Sequence, residues 1–110
     1  MKSWSDSVVV VTGASAGVGR ATVRAFAKRG ASVGLLARGP DGLRATREEV
    51  EEEGGRALDV VTDVADADQV EAAAERVEDE LGPIDLWVNN AMVSVFMPLS
   101  EMTPDDFRRV

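Results

Sequence analysis

Gly13, Gly17 and Gly19 close the apolar run Val8-Val9-Val10-Val11-Thr12 and open a helical pattern, giving Gly-x-x-x-Gly-x-Gly at a strand-to-helix junction. Glycine accepts positive φ and, lacking Cβ, lets another group lie against the backbone. A strand, such a turn and a helix N-terminus together offer unpaired N–H groups and a positive dipole end to an anion, usually a phosphate. The same spacing also suits a tight turn with no ligand. Ser15 is the hydroxyl inside the turn, where it can serve as a helix cap, a phosphate ligand or both. Three more groups sit at the ends of apolar runs: Arg38 after Ala37, Asp63-Val64 after Thr62, and Asn89-Asn90-Ala91 after Val88. Asp63 can cap or brace the next helix as readily as it can accept from a ligand. Two amides at the end of a buried strand must find partners, because an unsatisfied one costs about 1–3 kcal/mol. Either both tie strand ends together, or one holds the sheet and the next faces a ligand.

The elements that position these groups read in order along the chain. Four consecutive valines favour a strand buried on both faces. Val18, Ala21, Thr22, Ala25 and Phe26 then fall at i, i+3, i+4, i+7 and i+8, predicting one buried helix face that ends at Gly30. Ala31–Ala37 is a second strand, closed by Arg38, Gly39 and Pro40. From Asp41 to Glu53 the stripe Leu43, Thr46, Val50 predicts a second helix. Its C-terminal half is crowded by Glu48, Glu49, Glu51, Glu52 and Glu53, which oppose the macrodipole and predict fraying before Gly54 and Gly55. That acidic run reads as a solvated face, not a metal site. Ala57–Thr62 is a third strand, and Asp66 with Gln69 three residues on is a variant capping box. Val70, Ala73, Ala74, Val77 and Leu81 carry the third helix to Gly82-Pro83, and Ile84–Val88 is strand four. An irregular stretch from Met92 to Met102 follows, and Thr103-Pro104-Asp105-Asp106 starts a further helix before Val110. Trp4, Trp87 and Phe96 read as isolated fillers of core or edge.

Alternating strands and helices at these lengths predict an α/β fold, a Rossmann-like doubly wound parallel sheet of strand order 3-2-1-4. Residues 1–110 then form the N-terminal part of a single dinucleotide-binding domain, truncated after strand four and the start of the next helix. Ligands of such sheets lie beyond the C-terminal strand ends near strand one, where all four groups fall. A fold preferring NAD places a carboxylate at the end of strand two to hold the ribose hydroxyls, whereas a 2′-phosphate needs a cation. Arg38 therefore points to NADP over NAD. Asp63 would accept from the adenine amino group with Val64 packed on the ring, and one amide of the Asn pair would face the cofactor ribose. The charge of −8 argues against nucleic acid and anionic membrane surfaces as partners. With no cysteine and no histidine, thiolate chemistry, the commonest metal ligand and the usual neutral-pH proton shuttle are absent. No long apolar segment near the N-terminus marks a signal peptide or membrane span, so the expected location is cytoplasmic.

Taken together and in register, Thr12-Gly13-x-x-x-Gly17-x-Gly19, Asp63-Val64 and Asn89-Asn90-Ala91 resemble the N-terminal half of a short-chain dehydrogenase/reductase, from Val8 to Val110. The resemblance implies an NAD(P)-dependent oxidoreductase moving hydride between nicotinamide and a carbonyl or alcohol substrate. By position, Gly13, Ser15, Gly17, Val18 and Gly19 would surround the pyrophosphate and adjoining ribose. Arg38 would meet the 2′-phosphate, Asp63 and Val64 the adenine, and Asn90 the nicotinamide-side ribose. Met92 stands where the family has glycine, and Ala16 is uncharged where many NADP-preferring relatives are basic. The family's catalytic serine and Tyr-x-x-x-Lys would lie past Val110, and the sequence contains no tyrosine, so no catalytic residue is assigned and no turnover by these residues alone is expected. The alternative is a non-catalytic nucleotide-binding or interaction module whose open fourth-strand edge pairs with a partner or with a second copy as a homo-oligomer.

Overall fold

The computed structural model describes residues 3–90. After a short 3-10 turn at Trp4–Asp6 come β1 (Val8–Thr12), α1 (Gly17–Lys28), β2 (Ser32–Ala37), α2 (Pro40–Glu52), β3 (Arg56–Val61), α3 (Ala67–Leu81) and β4 (Leu86–Asn89). All strand pairs are parallel and the order is β3-β2-β1-β4, as the alternation of elements predicts. The irregular stretch from Met92, Phe96 and the helix expected at Thr103 lie outside the described residues.

The valine run is apolar throughout because both faces of β1 are covered. Val9 and Val11 join a core with Val23 of α1, Leu43 and Val50 of α2, and Val33 and Leu35 of β2. Val8 and Val10 face the opposite way, into a core with Leu36, Ala73 and Val77. Helices α1 and α2 thus share one face of the sheet and α3 covers the other. Gly34 is what lets α3 come down on β2, since a Cβ there would lie 2.8 Å from Val77 Cγ2. Asp85 fastens the start of β4, where its carboxylate accepts from Val8 N–H at 2.9 Å.

Three local expectations are corrected. The buried face of α1 is not Val18, Ala21 and Ala25 but Gly19 and Val23, with Phe26 and Ala27 partly buried behind them; Val18 is 71% exposed. The periodicity was right in type and displaced by one position, because a glycine supplies the first contact of the stripe. Secondly, α2 does not fray before its acidic end: it runs to Glu52 and closes with a Schellman pair, Gly55 N–H to Val50 C=O and Gly54 N–H to Glu51 C=O. Two of the glutamates have cationic partners that relieve the dipole conflict, Glu49 with Arg20 and Glu51 with Arg47. Thirdly, Trp4 is not isolated, since its ring lies 5.2 Å from that of Phe26.

At the start of α3 the capping prediction holds in a modified form. Asp66 accepts from the N–H groups of Asp68 and Gln69. Gln69 does not return to the Asp66 backbone; its Oε1 accepts from Asp63 N–H at 2.8 Å while its Nε2 donates to Asp66 Oδ2.

Candidate functional site

The C-terminal ends of β1, β2 and β3 carry the turns the sequence singled out. Gly13 has φ +65° and Gly17 φ +59°, conformations that L side chains rarely adopt, so both glycines are required by the backbone itself. Gly19 has a different reason. A Cβ there would lie 1.9 Å from Gly13 O, so its bare Cα lets α1 start directly against the end of β1. Glycine at 19 therefore serves the approach of helix to turn.

The N-cap of α1 is Ala16, and no side chain caps the helix. Ser15 thus does not take the capping role. The first backbone donor absorbed at this end is Arg20 N–H, onto Ala16 C=O, so the preceding N–H groups of Gly17, Val18 and Gly19 belong to the open, positive end of the helix.

A cavity of about 270 Å³ opens beside this turn, lined by Gly13, Ser15, Ala37, Arg38, Gly39, Thr62 and Val64. Three sequence-distant groups, the glycine turn, Arg38 and Val64, are therefore brought to one place. Arg38 is exposed and forms no ion pair among the described residues. Asp63 stands beside Val64; its Oδ1 accepts from Ala65 N–H at 3.0 Å, bracing the turn into α3. Its second oxygen is not used in that brace. Gly39 and Thr62, which also line the cavity, were not singled out in the sequence; their positions immediately after Arg38 and before Asp63 were the available signal.

On the other side of β1, one of the two asparagines ties strand ends together. Asn89 Oδ1 accepts from Thr12 Oγ1 at 2.8 Å and ties β4 to β1. Asn90 does not line the cavity described above, yet its Nδ2 is buried without a hydrogen-bond partner among the described residues. A buried amide donor left unmatched is costly.

Helix α2 packs against the turn. Thr46, read in the sequence as one position of an apolar stripe, is fully buried on the expected face, but its hydroxyl reaches Ala14 O at 3.1 Å as well as Gly42 O at 2.9 Å. Arg20 and Glu49 join α1 to α2 at 2.8 Å; the hydrogen bond from Arg20 holds the Glu49 carboxyl below its ordinary range, and the same bond raises Arg20. A larger and shallower depression of about 600 Å³ lies on the outer side of α1, lined by Ala21, Arg24, Ala25, Lys28 and Arg29. It contains none of the site residues and faces away from the turn.

Among the described residues, no group of three or more acidic side chains is placed to hold a metal ion, and no helix is long and apolar enough to cross a membrane. A doubly wound parallel sheet with a glycine turn, an open helix end and, at the next strand end, a cation that forms no ion pair among the described residues is the arrangement of a dinucleotide-binding α/β protein. Comparison with known proteins is more specific. The family model for short chain dehydrogenase matches residues 7–110, and the chain belongs to that family. It is 38% identical over 110 residues to the uncharacterized oxidoreductase YxnA of Bacillus subtilis, covering 100% of this chain and 31% of that protein. The L-sorbose reductase of Gluconobacter frateurii, solved with NADPH and L-sorbose, superposes with a TM-score of 0.75 at 36% identity, over 93% of this chain and 39% of that one. An NADPH-bound short chain oxidoreductase of Pseudomonas aeruginosa superposes with a TM-score of 0.77 at 38% identity, over 96% and 42%. The chain thus spans well under half the length of these relatives.

Proposed function

We propose that this chain is the nucleotide-binding part of an NADP-dependent oxidoreductase, the N-terminal portion of a single dinucleotide-binding domain. The observation that carries the coenzyme assignment is the cavity in which the glycine turn meets Arg38, a guanidinium with no acidic partner among the described residues, at the end of a β2 that carries no carboxylate. A guanidinium suits a phosphate monoester through paired N–H donors, whereas ribose hydroxyls alone would call for an acceptor. NADPH in the two solved relatives supports the same choice.

The residues present fit the cofactor at each of its parts. The positive-φ turn at Gly13 and Gly17 and the uncapped start of α1, from Gly17 through Val18 to Gly19, would hold the pyrophosphate, with Ser15 offering a hydroxyl. Arg38 would pair with the 2′-phosphate. Asp63 keeps a carboxylate oxygen for the adenine amino group, and Val64 supplies an apolar wall. The unmatched Asn90 amide would donate to the nicotinamide-side ribose. When bound, the nicotinamide supplies or accepts the hydride exchanged with a small carbonyl or alcohol substrate.

This chain's own contribution is binding and orientation, not proton transfer. It has no tyrosine and no histidine, and Lys28 sits at the end of α1 opposite the glycine turn. Titration of the purified chain with NADPH and with NADH tests the reading: saturable binding with a clear preference for NADPH is expected, and equal affinities would refute the role given to Arg38.

A further inference from the structure

We propose that Thr46 is a positioning residue for the nucleotide cradle: its buried hydroxyl, presented by α2, holds the Ala14 carbonyl and so fixes the glycine turn in its binding shape. This rests on the nucleotide-binding reading above. Thr46 has no solvent exposure, and its Oγ1 lies 3.1 Å from Ala14 O and 2.9 Å from Gly42 O. A helical threonine commonly donates to the carbonyl four residues back, and that contact alone would give Thr46 no role outside its own helix.

The surroundings assign it more. Gly42 O belongs to the α2 ladder, where the i→i−4 pattern supplies a backbone donor. Ala14 O belongs to the turn, and among the described residues Thr46 Oγ1 is the donor that reaches it. Ala14 is itself fully buried, so without Thr46 this carbonyl would be left unmatched. At its other end Ala14 donates its N–H to Leu36 O at 3.2 Å. The residue between Gly13 and Ser15 is therefore held from both sides, by β2 and by α2.

Gly42 completes the seat. A Cβ at position 42 would lie 2.8 Å from Ser15 Cβ and 3.0 Å from Ser15 O, so the bare first turn of α2 is what brings Thr46 within reach of the turn. Removing the hydroxyl frees the Ala14 carbonyl to rotate toward other donors. The fraction of molecules with a binding-competent turn then falls, and the apparent dissociation constant rises by the same factor.

The test measures NADPH dissociation constants for Thr46→Val, Thr46→Ala and Thr46→Ser by nicotinamide fluorescence, and amide hydrogen exchange over residues 14–19 without nucleotide. Val and Ala are expected to weaken NADPH about 3- to 10-fold and to speed exchange in the turn, while Ser stays within about twofold of the parent. Comparing Ser with Ala isolates the hydroxyl at constant loss of the methyl group, and decides the matter where Val does not fold. Unchanged binding in Ala, or equal losses in Ser and Ala, would overturn the role of the hydroxyl. Should the parent chain itself not bind NADPH, the nucleotide reading falls separately. Exchange over residues 14–19 then still judges Thr46: faster in Ala than in Ser supports the hold on the turn, and equal rates refute it.

Discussion

Replacing Gly19 by alanine should be far more damaging than replacing Gly17, although a glycine motif by itself treats the two alike. A Cβ at 19 would sit 1.9 Å from Gly13 O, 2.6 Å from Gly13 C and 3.2 Å from Ala14 N, whereas ordinary contacts begin near 3.4 Å. Helix or turn must retreat by about 1.5 Å, and the obstacle is backbone that no side-chain rotation relieves. Overpacking of this kind costs about 1–3 kcal/mol, with the upper end or beyond expected where backbone must move. At 17 a Cβ meets nothing within 4 Å, so only the left-handed φ of +59° is penalised. That penalty is about 1–2 kcal/mol. Against a total stability of about 5–15 kcal/mol, Gly19→Ala should leave a visibly weakened fold. Urea unfolding followed by circular dichroism reads the difference: with a slope of about 1–3 kcal/mol per molar, a loss of about 3 kcal/mol lowers the midpoint by about 1–3 M. A Gly19→Ala midpoint equal to the parent, or a smaller drop than Gly17→Ala gives, would refute the packing role assigned to Gly19.

Arg38→Asp should weaken NADPH by about 10- to 100-fold, the loss of a charged hydrogen bond to phosphate with repulsion added, while NADH changes little. Because Arg38 holds no partner among the described residues, the melting temperature should stay put; equal effects on both nucleotides would contradict the assignment. Glu49→Gln tests the link between α1 and α2. The Glu49 carboxyl is held below its ordinary value by Arg20, so its stabilisation is present above the unfolded-state pKa and is lost as pH falls through the folded-state value. The melting temperature of the parent should exceed that of Glu49→Gln at neutral pH and converge with it on acidification; a gap independent of pH would contradict this.

Much of the fold was legible because local signals agreed. The valine run, the Asp66 cap and the 3.6-residue stripes of α2 and α3 each named the element that formed. The face of α1 was displaced by one position because Gly19, with no side chain to count, begins the buried stripe. Fraying of α2 was expected because Arg20, the partner of Glu49, lies 29 residues away and on another helix. In the candidate site, Arg38 and Val64 could be placed beside the glycine turn from strand ends alone, and the tie of Asn89 to β1 was legible because an amide at the end of a buried strand must find a partner. Thr46 could not be found that way. Its apolar-stripe position revealed that it is buried, but its bond to Ala14 spans 32 residues and exists only once α2 packs over the turn.

Residue-resolved titration of the chain with NADPH, followed by amide NMR, tests the nucleotide assignment most directly. Saturable shifts should concentrate at residues 13–19, Arg38, Gly39, Asp63, Val64 and Asn90, with weaker binding of NADH at the same amides. No saturable response there, or shifts confined to Arg24, Lys28 and Arg29 on the outer side of α1, would contradict it.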